Sequence, residues 1–227
     1  MQSWKTTPQL IWCHSEVTAL RRAGAQYIAH KLMHALPDNG LVLSVRTNAS
    51  PFAYPHFLHL SMQDDCWQGA LLARLDESLP FVDGAFDMIV LDFVLDALPH
   101  KRQILAEAAR VLSDDGTLIV LGLHAISIWM LWQAGKSRRW PTLQLPAALT
   151  TRMHRFDIVK RSIWRYGAIW PGGTTLASAW LGGAYVWIGQ KQQQVPIILS
   201  KHMKQRQALQ HPSSHVTTGA QHQRQHD

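Results

Sequence analysis

Asp87-Met88-Ile89-Val90-Leu91-Asp92 is an apolar run closed at each end by an aspartate. It has the length of a strand and none of the polar–apolar alternation of a strand with one wet face. It is therefore expected to be buried on both faces of a sheet. From Lys101 to Leu112 the apolar residues Ile104, Leu105, Ala108, Val111 and Leu112 recur at helical spacing. Asp114-Asp115-Gly116 then turns the chain into a second run of the same kind, Thr117-Leu118-Ile119-Val120-Leu121-Gly122. Strand, helix and strand joined by short turns make a βαβ unit, with parallel strands and a right-handed crossover. The fold class is α/β.

The flanks extend this unit. Val17, Leu20, Ala23 or Gly24, Tyr27, Ile28, Leu32 and Leu36 form one helical stripe, with Arg21, Arg22, Gln26 and Lys31 off it. Pro37-Asp38-Asn39-Gly40 stops that helix, and Leu41–Val45 is a short strand. Weaker strands are expected at Phe57–Met62 and Ala70–Leu75. Downstream, Ile158–Arg165 and Ala184–Gln190 are strands suited to antiparallel pairing at the edge of the sheet.

Composition narrows the function classes. With 227 residues, 47% of them hydrophobic, the chain suits one globular domain with its own core. The net charge of +7 is concentrated at the end, where five cations from Lys191 onward face only Asp227. The body is mildly basic, so specific nucleic-acid recognition is not expected. Residues 196–227, rich in glutamine and histidine and poor in apolar side chains, read as a disordered basic tail behind a domain spanning 1–195. The tail histidines match no defined metal spacing, and no metal is expected. The opening Met1-Gln2-Ser3-Trp4-Lys5 leads into no secretory apolar run, and Cys13 and Cys66 read as reduced thiols, so a cytoplasmic protein is expected. Gly167–Gly189 is uncharged and long enough to span a bilayer, but Pro171 and six glycines suit turns and strands better than a spanning helix.

Leu79-Pro80-Phe81-Val82-Asp83-Gly84-Ala85-Phe86-Asp87 resembles the "LPF-x-D-x-x-F-D" segment of the methyltransferase type 11 group of class I S-adenosylmethionine-dependent methyltransferases. Val94-Leu95-Asp96-Ala97-Leu98-Pro99 resembles the group's "V-L-x-x-L-P" turn. Ala109-Arg110-Val111-Leu112-Ser113-Asp114-Asp115-Gly116-Thr117-Leu118 resembles its "A-R-V-L-x-P-G-G-x-L". The resemblance covers residues 79–122. It implies a Rossmann-like methyltransferase fold: a mostly parallel seven-stranded sheet, helices on both faces and an antiparallel edge strand. It also implies S-adenosyl-L-methionine as cofactor.

Carried over residue by residue, the resemblance places cofactor contacts at Ser44, Val45, Arg46 and Asn48 after the first strand. Asp76 and Glu77 would serve the adenosyl side, and Asp92 and Phe93 the end of the strand that follows. The departures are specific. The family's loop after the first strand is rich in glycine, whereas Ser44-Val45-Arg46-Thr47-Asn48-Ala49-Ser50-Pro51 has none, leaving Asn48 best suited to a left-handed conformation. The family's first-strand acid is replaced by Ser44 or Val45. Its ribose-binding acid has only approximate counterparts in Gln63, Asp64 and Asp65. Leu75 stands where the adenine-contacting aspartate belongs, with Asp76 one residue later.

Catalytic candidates are Asp96 and His124. Asp96 is alternatively a turn residue before Pro99, and His124 a hydrogen-bonded structural histidine. Asp92 either faces the transferred methyl group, caps the next helix or sits in solvent. The expected function is methyl transfer from S-adenosylmethionine to an acceptor of unknown identity, a small molecule among the options. The alternative is a catalytically inactive methyltransferase-like binding or scaffolding protein. Oligomeric state is not legible. Truncation after Leu199 is expected to leave the melting temperature nearly unchanged, as a scanning-fluorimetry comparison with the full chain would show.

Overall fold

The computed structural model describes residues 15–32, 36–45, 51–52, 54–63, 66–75, 77–98, 100–124, 145–167 and 182–192. Helix α1 (Ser15–Leu32) leads into strand β1 (Gly40–Ser44) and then β2 (Phe57–Gln63), β3 (Cys66–Gly69) and β4 (Leu72–Arg74). Next come β5 (Phe86–Asp92), the single turn α2 (Val94–Ala97), helix α3 (Lys101–Val111) and β6 (Leu112–Leu123). Helix α4 (Pro146–Met153), with a 3-10 turn after it, precedes β7 (Ile158–Tyr166) and β8 (Ala184–Lys191).

One sheet of eight strands, in the order β4-β3-β2-β1-β5-β6-β8-β7, holds the described residues together. Strands β2, β1, β5 and β6 are its parallel centre. Leu41, Val42 and Leu43 of β1, residues 88–92 of β5 and residues 118–121 of β6 are at most 2% exposed, as continuous apolar runs between two covered faces require. The expected βαβ unit is present: β5 and β6 are parallel neighbours, with Ile89 opposite Leu118 and Leu91 opposite Val120.

The outer strands depart from expectation. Eight strands stand where seven were expected, because Cys66–Gly69 folds back on β2 as an antiparallel strand and then pairs with β4. Gly69 makes this possible: its φ is +150°, and a Cβ there would collide with the carbonyl of His59. On the other side, β8 is antiparallel as expected but lies inside the sheet, since β7 covers its second edge. Trp187 of β8 is accordingly fully buried, its indole N–H donating to Oγ1 of Thr150 at 3.0 Å. The free edge falls to β7, where Lys160, Arg161 and Arg165 are exposed, a charge pattern that discourages strand addition. The Asp114-Asp115-Gly116 turn is absorbed into β6 as an irregularity. Leu112 already pairs with Phe86 and Thr117 with Met88, while Asp115 takes a φ of 66°.

Of the segment 167–189, residues 184–189 are strand. No helix among the described residues is long and apolar enough to cross a membrane. The tail, residues 196–227, lies outside the described residues.

Arg110 of α3 explains why the motifs of residues 79–87 and 109–118 occur together. Its guanidinium donates to the carbonyls of Phe81 (2.8 Å) and Leu79 (3.0 Å) and to Oδ1 of Asp83 (2.7 Å), and it is held in place by Glu107. Glu107 in turn accepts the N–H of Leu79 at 3.0 Å, and the Arg110 carbonyl accepts the N–H of Gly84. The loop entering β5 is thereby fixed to the helix leaving it. Arg110→Ala is expected to cost about 2 kcal/mol, because several backbone carbonyls lose a charged donor while the exposed Asp83 contributes little. Urea titration of the variant checks this.

Candidate functional site

From β1 the chain runs to one side of the sheet through β2, then returns to β5 on the other side of β1. In an open α/β sheet, ligands bind outside the carboxyl ends of the strands at such a switch point. The residues there form one row across the centre. Ser44 ends β1, with Ser61 of β2 opposite it on one side and Asp92 of β5 on the other; Leu121 of β6 stands opposite Asp92.

Asp92 is 0% exposed. A carboxylate in such a position requires a cation, and the cation comes from α1: Nε of Arg21 donates to Oδ2 at 2.9 Å and Nη2 contacts the same oxygen. The other carboxylate oxygen, Oδ1, has no hydrogen-bond partner among the described residues. Burial pushes the Asp92 carboxyl above its ordinary value, and the adjacent Arg21 charge restrains that rise.

Phe93 follows immediately, in the left-handed region with φ 57° and ψ 13°, its N–H donating to the Leu121 carbonyl at 3.2 Å. A bulky residue there stores about 1 kcal/mol or more of strain, which a fixed chain direction at a site can justify. Tyr166, at the end of β7, brings its hydroxyl against α1 at Gly24, where an added Cβ would lie 2.5 Å away. That hydroxyl is buried, with no hydrogen-bond partner among the described residues. Burial, reinforced by the charge of Asp92, holds it well above its ordinary pKa, so it stays a neutral phenol.

The end of β6 carries the other candidates. Asp96 on α2 is buried and accepts the N–H of Leu123 at 2.7 Å, so it ties α2 to β6. His124 donates its backbone N–H to the Gly183 carbonyl, and burial followed by the charge of Arg165 lowers its imidazole pKa. It is neutral at neutral pH. Asp92 itself neither caps α2, whose N-cap is Phe93 without a side-chain bond, nor sits in solvent.

The structure thus gathers Ser44, Val45, Asp92 and Phe93 at the ends of β1 and β5, with Asp96 and His124 beside β6. Glu77 is exposed, with Arg74 3.9 Å away, on the rim of a groove lined by Leu43, Trp67, Leu75, Leu79 and Gln103. Arg46, Asn48 and Asp76 lie outside the described residues, as do Trp129, Trp132, Trp140, Trp170 and Trp180.

Residues 59–120 match the model of the methyltransferase domain family. Several solved structures share the architecture. A methyltransferase of Thermotoga maritima, described as dependent on S-adenosylmethionine and a possible histamine N-methyltransferase, superposes with a TM-score of 0.56 at 16% identity. That superposition covers 81% of this chain and 98% of the other. The geranyl diphosphate C-methyltransferase of Streptomyces coelicolor, solved with Mg2+, geranyl diphosphate and S-adenosyl-L-homocysteine, gives 0.54 at 13% identity, covering 78% and 80%. The fold is that of the S-adenosylmethionine-dependent methyltransferases. A further putative methyltransferase, from Haloferax volcanii in complex with the Trm112 activator, gives 0.52 at 10% identity over 82% and 98%. No curated protein matches the sequence.

Arg21 and Tyr166 are the site residues that sequence reasoning missed. Arg21 lies off the apolar stripe of the sequence, yet it is 6% exposed and belongs to the buried face with Leu20, Gly24, Ala25 and Ile28. The available signal was its position three and four residues before Gly24 and Ala25, small residues that leave room for a long side chain. Asp92→Ala would leave Arg21 buried without its counter-ion and is expected to cost about 3–5 kcal/mol, whereas Arg21→Met with Asp92→Leu should recover most of that. Thermal and urea unfolding of the single and double variants measure it. For His124, the folded imidazole pKa lies below the unfolded value, so the folded state binds fewer protons between the two. Stability is therefore lost as pH falls below about 6.5. His124→Gln should lessen that loss in unfolding curves taken between pH 7 and 5.

Proposed function

We propose that this protein transfers a methyl group from S-adenosylmethionine to an acceptor, with a small molecule the simplest candidate. The observation that carries the reading is the Ser44–Asp92 row at the switch point of a methyltransferase sheet, where a buried carboxylate keeps one oxygen without a donor among the described residues. That donor set suits the cofactor: S-adenosylmethionine carries sulfonium and ammonium cations, and Oδ1 of Asp92 is an acceptor with unspent capacity in a low-dielectric setting. When bound, the group supplies an electrophilic methyl on a good leaving group.

The residues that would hold it are Ser44, Val45, Arg46 and Asn48 at the end of β1, Asp92 and Phe93 at the end of β5, and Asp76 and Glu77 on the adenosyl side. Buried Val45, Phe93 and Leu121 exclude water from this end of the sheet. Alignment and dryness do most of what methyl transfer requires. Where the acceptor must lose a proton, the neutral imidazole of His124 is the group suited to take it, and Asp96 holds α2 beside it. The same proposal takes the protein as cytoplasmic, with a catalytic domain over 1–195 and residues 196–227 outside it.

A second reading, a binding or scaffolding protein of the same fold, is favoured by one feature: residues 44–51 contain no glycine to let the backbone approach the cofactor closely. Calorimetric titration with S-adenosylmethionine and S-adenosylhomocysteine separates the two readings. Ligand at 100 times its dissociation constant is expected to stabilise the fold by about 2.7 kcal/mol, visible as a rise in melting temperature. The absence of both heat and shift at millimolar ligand would overturn the enzyme reading in favour of the scaffold.

A further inference from the structure

Strand β7 ends the sheet with a free edge, and from Ile158 to Tyr166 it carries Lys160, Arg161 and Arg165 and no acid. Those three cations and Trp164 are all exposed, Trp164 by 40%. On the α1 side of the strand, the Trp164 ring lies 5.3 Å from that of Tyr27, and Nζ of Lys31 stands 5.3 Å from its centre. Arg161 turns to the same side. Its Nε donates to Oε1 of Gln190 at 3.0 Å, and Gln190 shares a face of β8 with Val186, the partner of Trp164. No ion pair among the described residues involves Lys31, Lys160 or Arg161. The acids of these elements stand apart: Glu16 is in the first turn of α1, at the opposite end from Lys31, and Asp157 is half-buried in the turn before β7.

Cations on an edge strand guard it against pairing with another sheet, and that role accounts for Lys160, Arg161 and Arg165. It does not account for Trp164, because a large apolar ring half in water on a free edge works against such guarding. An indole flanked by unpaired cations suits the boundary between lipid headgroups and acyl chains, where the ring is partly dry and the cations meet phosphates. A nucleic acid would need an open ring face on which a base can stack, and Lys31 already stands over Trp164 while Tyr27 packs against it. We propose that the β7 edge and the end of α1 form a docking surface for an anionic phospholipid bilayer, with Trp164 at headgroup level and Lys31, Lys160 and Arg161 on lipid phosphates. The surface is independent of the methyl-transfer reading.

The test sediments the full chain with vesicles of phosphatidylcholine, with and without phosphatidylglycerol as the minor lipid. Partitioning is expected onto the anionic vesicles, and it should weaken as salt is added. Lys160→Gln and Arg161→Gln, both outside the core, should each lower the partition coefficient about fivefold, and together roughly twenty-five-fold. Trp164→Ala should lower it too while leaving its salt dependence unchanged; should that variant fail to fold, the two glutamine substitutions carry the test. The basic tail is the rival source of attraction, so Lys201, Lys204 and Arg206 are also replaced together by Gln in the full chain. The fall caused by Lys160→Gln and Arg161→Gln should persist in that background. Partitioning abolished by the tail substitutions but unmoved by those on β7 would overturn the surface, as would equal partitioning onto neutral vesicles or none onto either. Binding to a single-stranded oligonucleotide that is lost in the β7 variants, with no binding to vesicles, would assign the patch to nucleic acid and overturn the proposal.

Discussion

A carboxylate with no exposed surface at the end of the central strand β5 constrains everything around it. An isolated buried charge of this kind costs several kcal/mol, so the fold must bring a cation to it from elsewhere in the chain. Arg21 is that cation, 71 residues away in sequence. Docking α1 so that Arg21 reaches Asp92 sets the rest of the helix face: Leu20, Ala25 and Ile28 go into the core, and Gly24 meets the hydroxyl of Tyr166. The helix before the sheet and the last parallel-running strand are thus joined over the same point. An ion pair of this kind adds little net stability compared with apolar residues of equal volume, but it specifies one docking of α1 among the several that an apolar stripe alone would allow.

The second organising element is Arg110, and it works by a different logic. Its partners are mostly backbone carbonyls in a loop without regular structure, where such groups would otherwise need water. The loop of residues 79–85 crosses from β4 to β5 and must present Phe86 to the core at the right height. Arg110 and Glu107, one turn apart on α3, fix it from the helix that β5 leads into. The sequence motifs on either side of β5 are therefore two halves of one structural device. Their joint presence marks the fold whether or not the chain is an enzyme, so the chemistry has to be argued from the residues at the strand ends.

How much of this is legible in the sequence follows from the range of each interaction. Strands β1, β5 and β6 and helix α3 announce themselves through local pattern, since burial on both faces demands unbroken apolar runs and a helix packed on a sheet demands a stripe. Strand β3 carries no such mark: Cys66-Trp67-Gln68-Gly69 is too short for a period, and its pairing with β2 depends on a close approach that only Gly69 permits. The interior position of β8 was likewise invisible, because it depends on which partner β7 chooses. Within the site, Asp92 and Phe93 are legible as strand-end residues, whereas Arg21 is not. Pattern reading assigns a charged residue on a helix to solvent, and the fact that overrides this rule is a partner in a different element.

The glycine-free segment after β1 and the ion pair after β5 bear on the same physical question. Methyl transfer from a sulfonium depends on alignment and a dry pocket more than on any one side chain, so a cofactor loop can lose its usual residues and weaken binding before it weakens chemistry. At the end of β5 the acid is buried and a cation from α1 sits beside one of its oxygens. Burial at β5 makes each charge there count for more than it would in water.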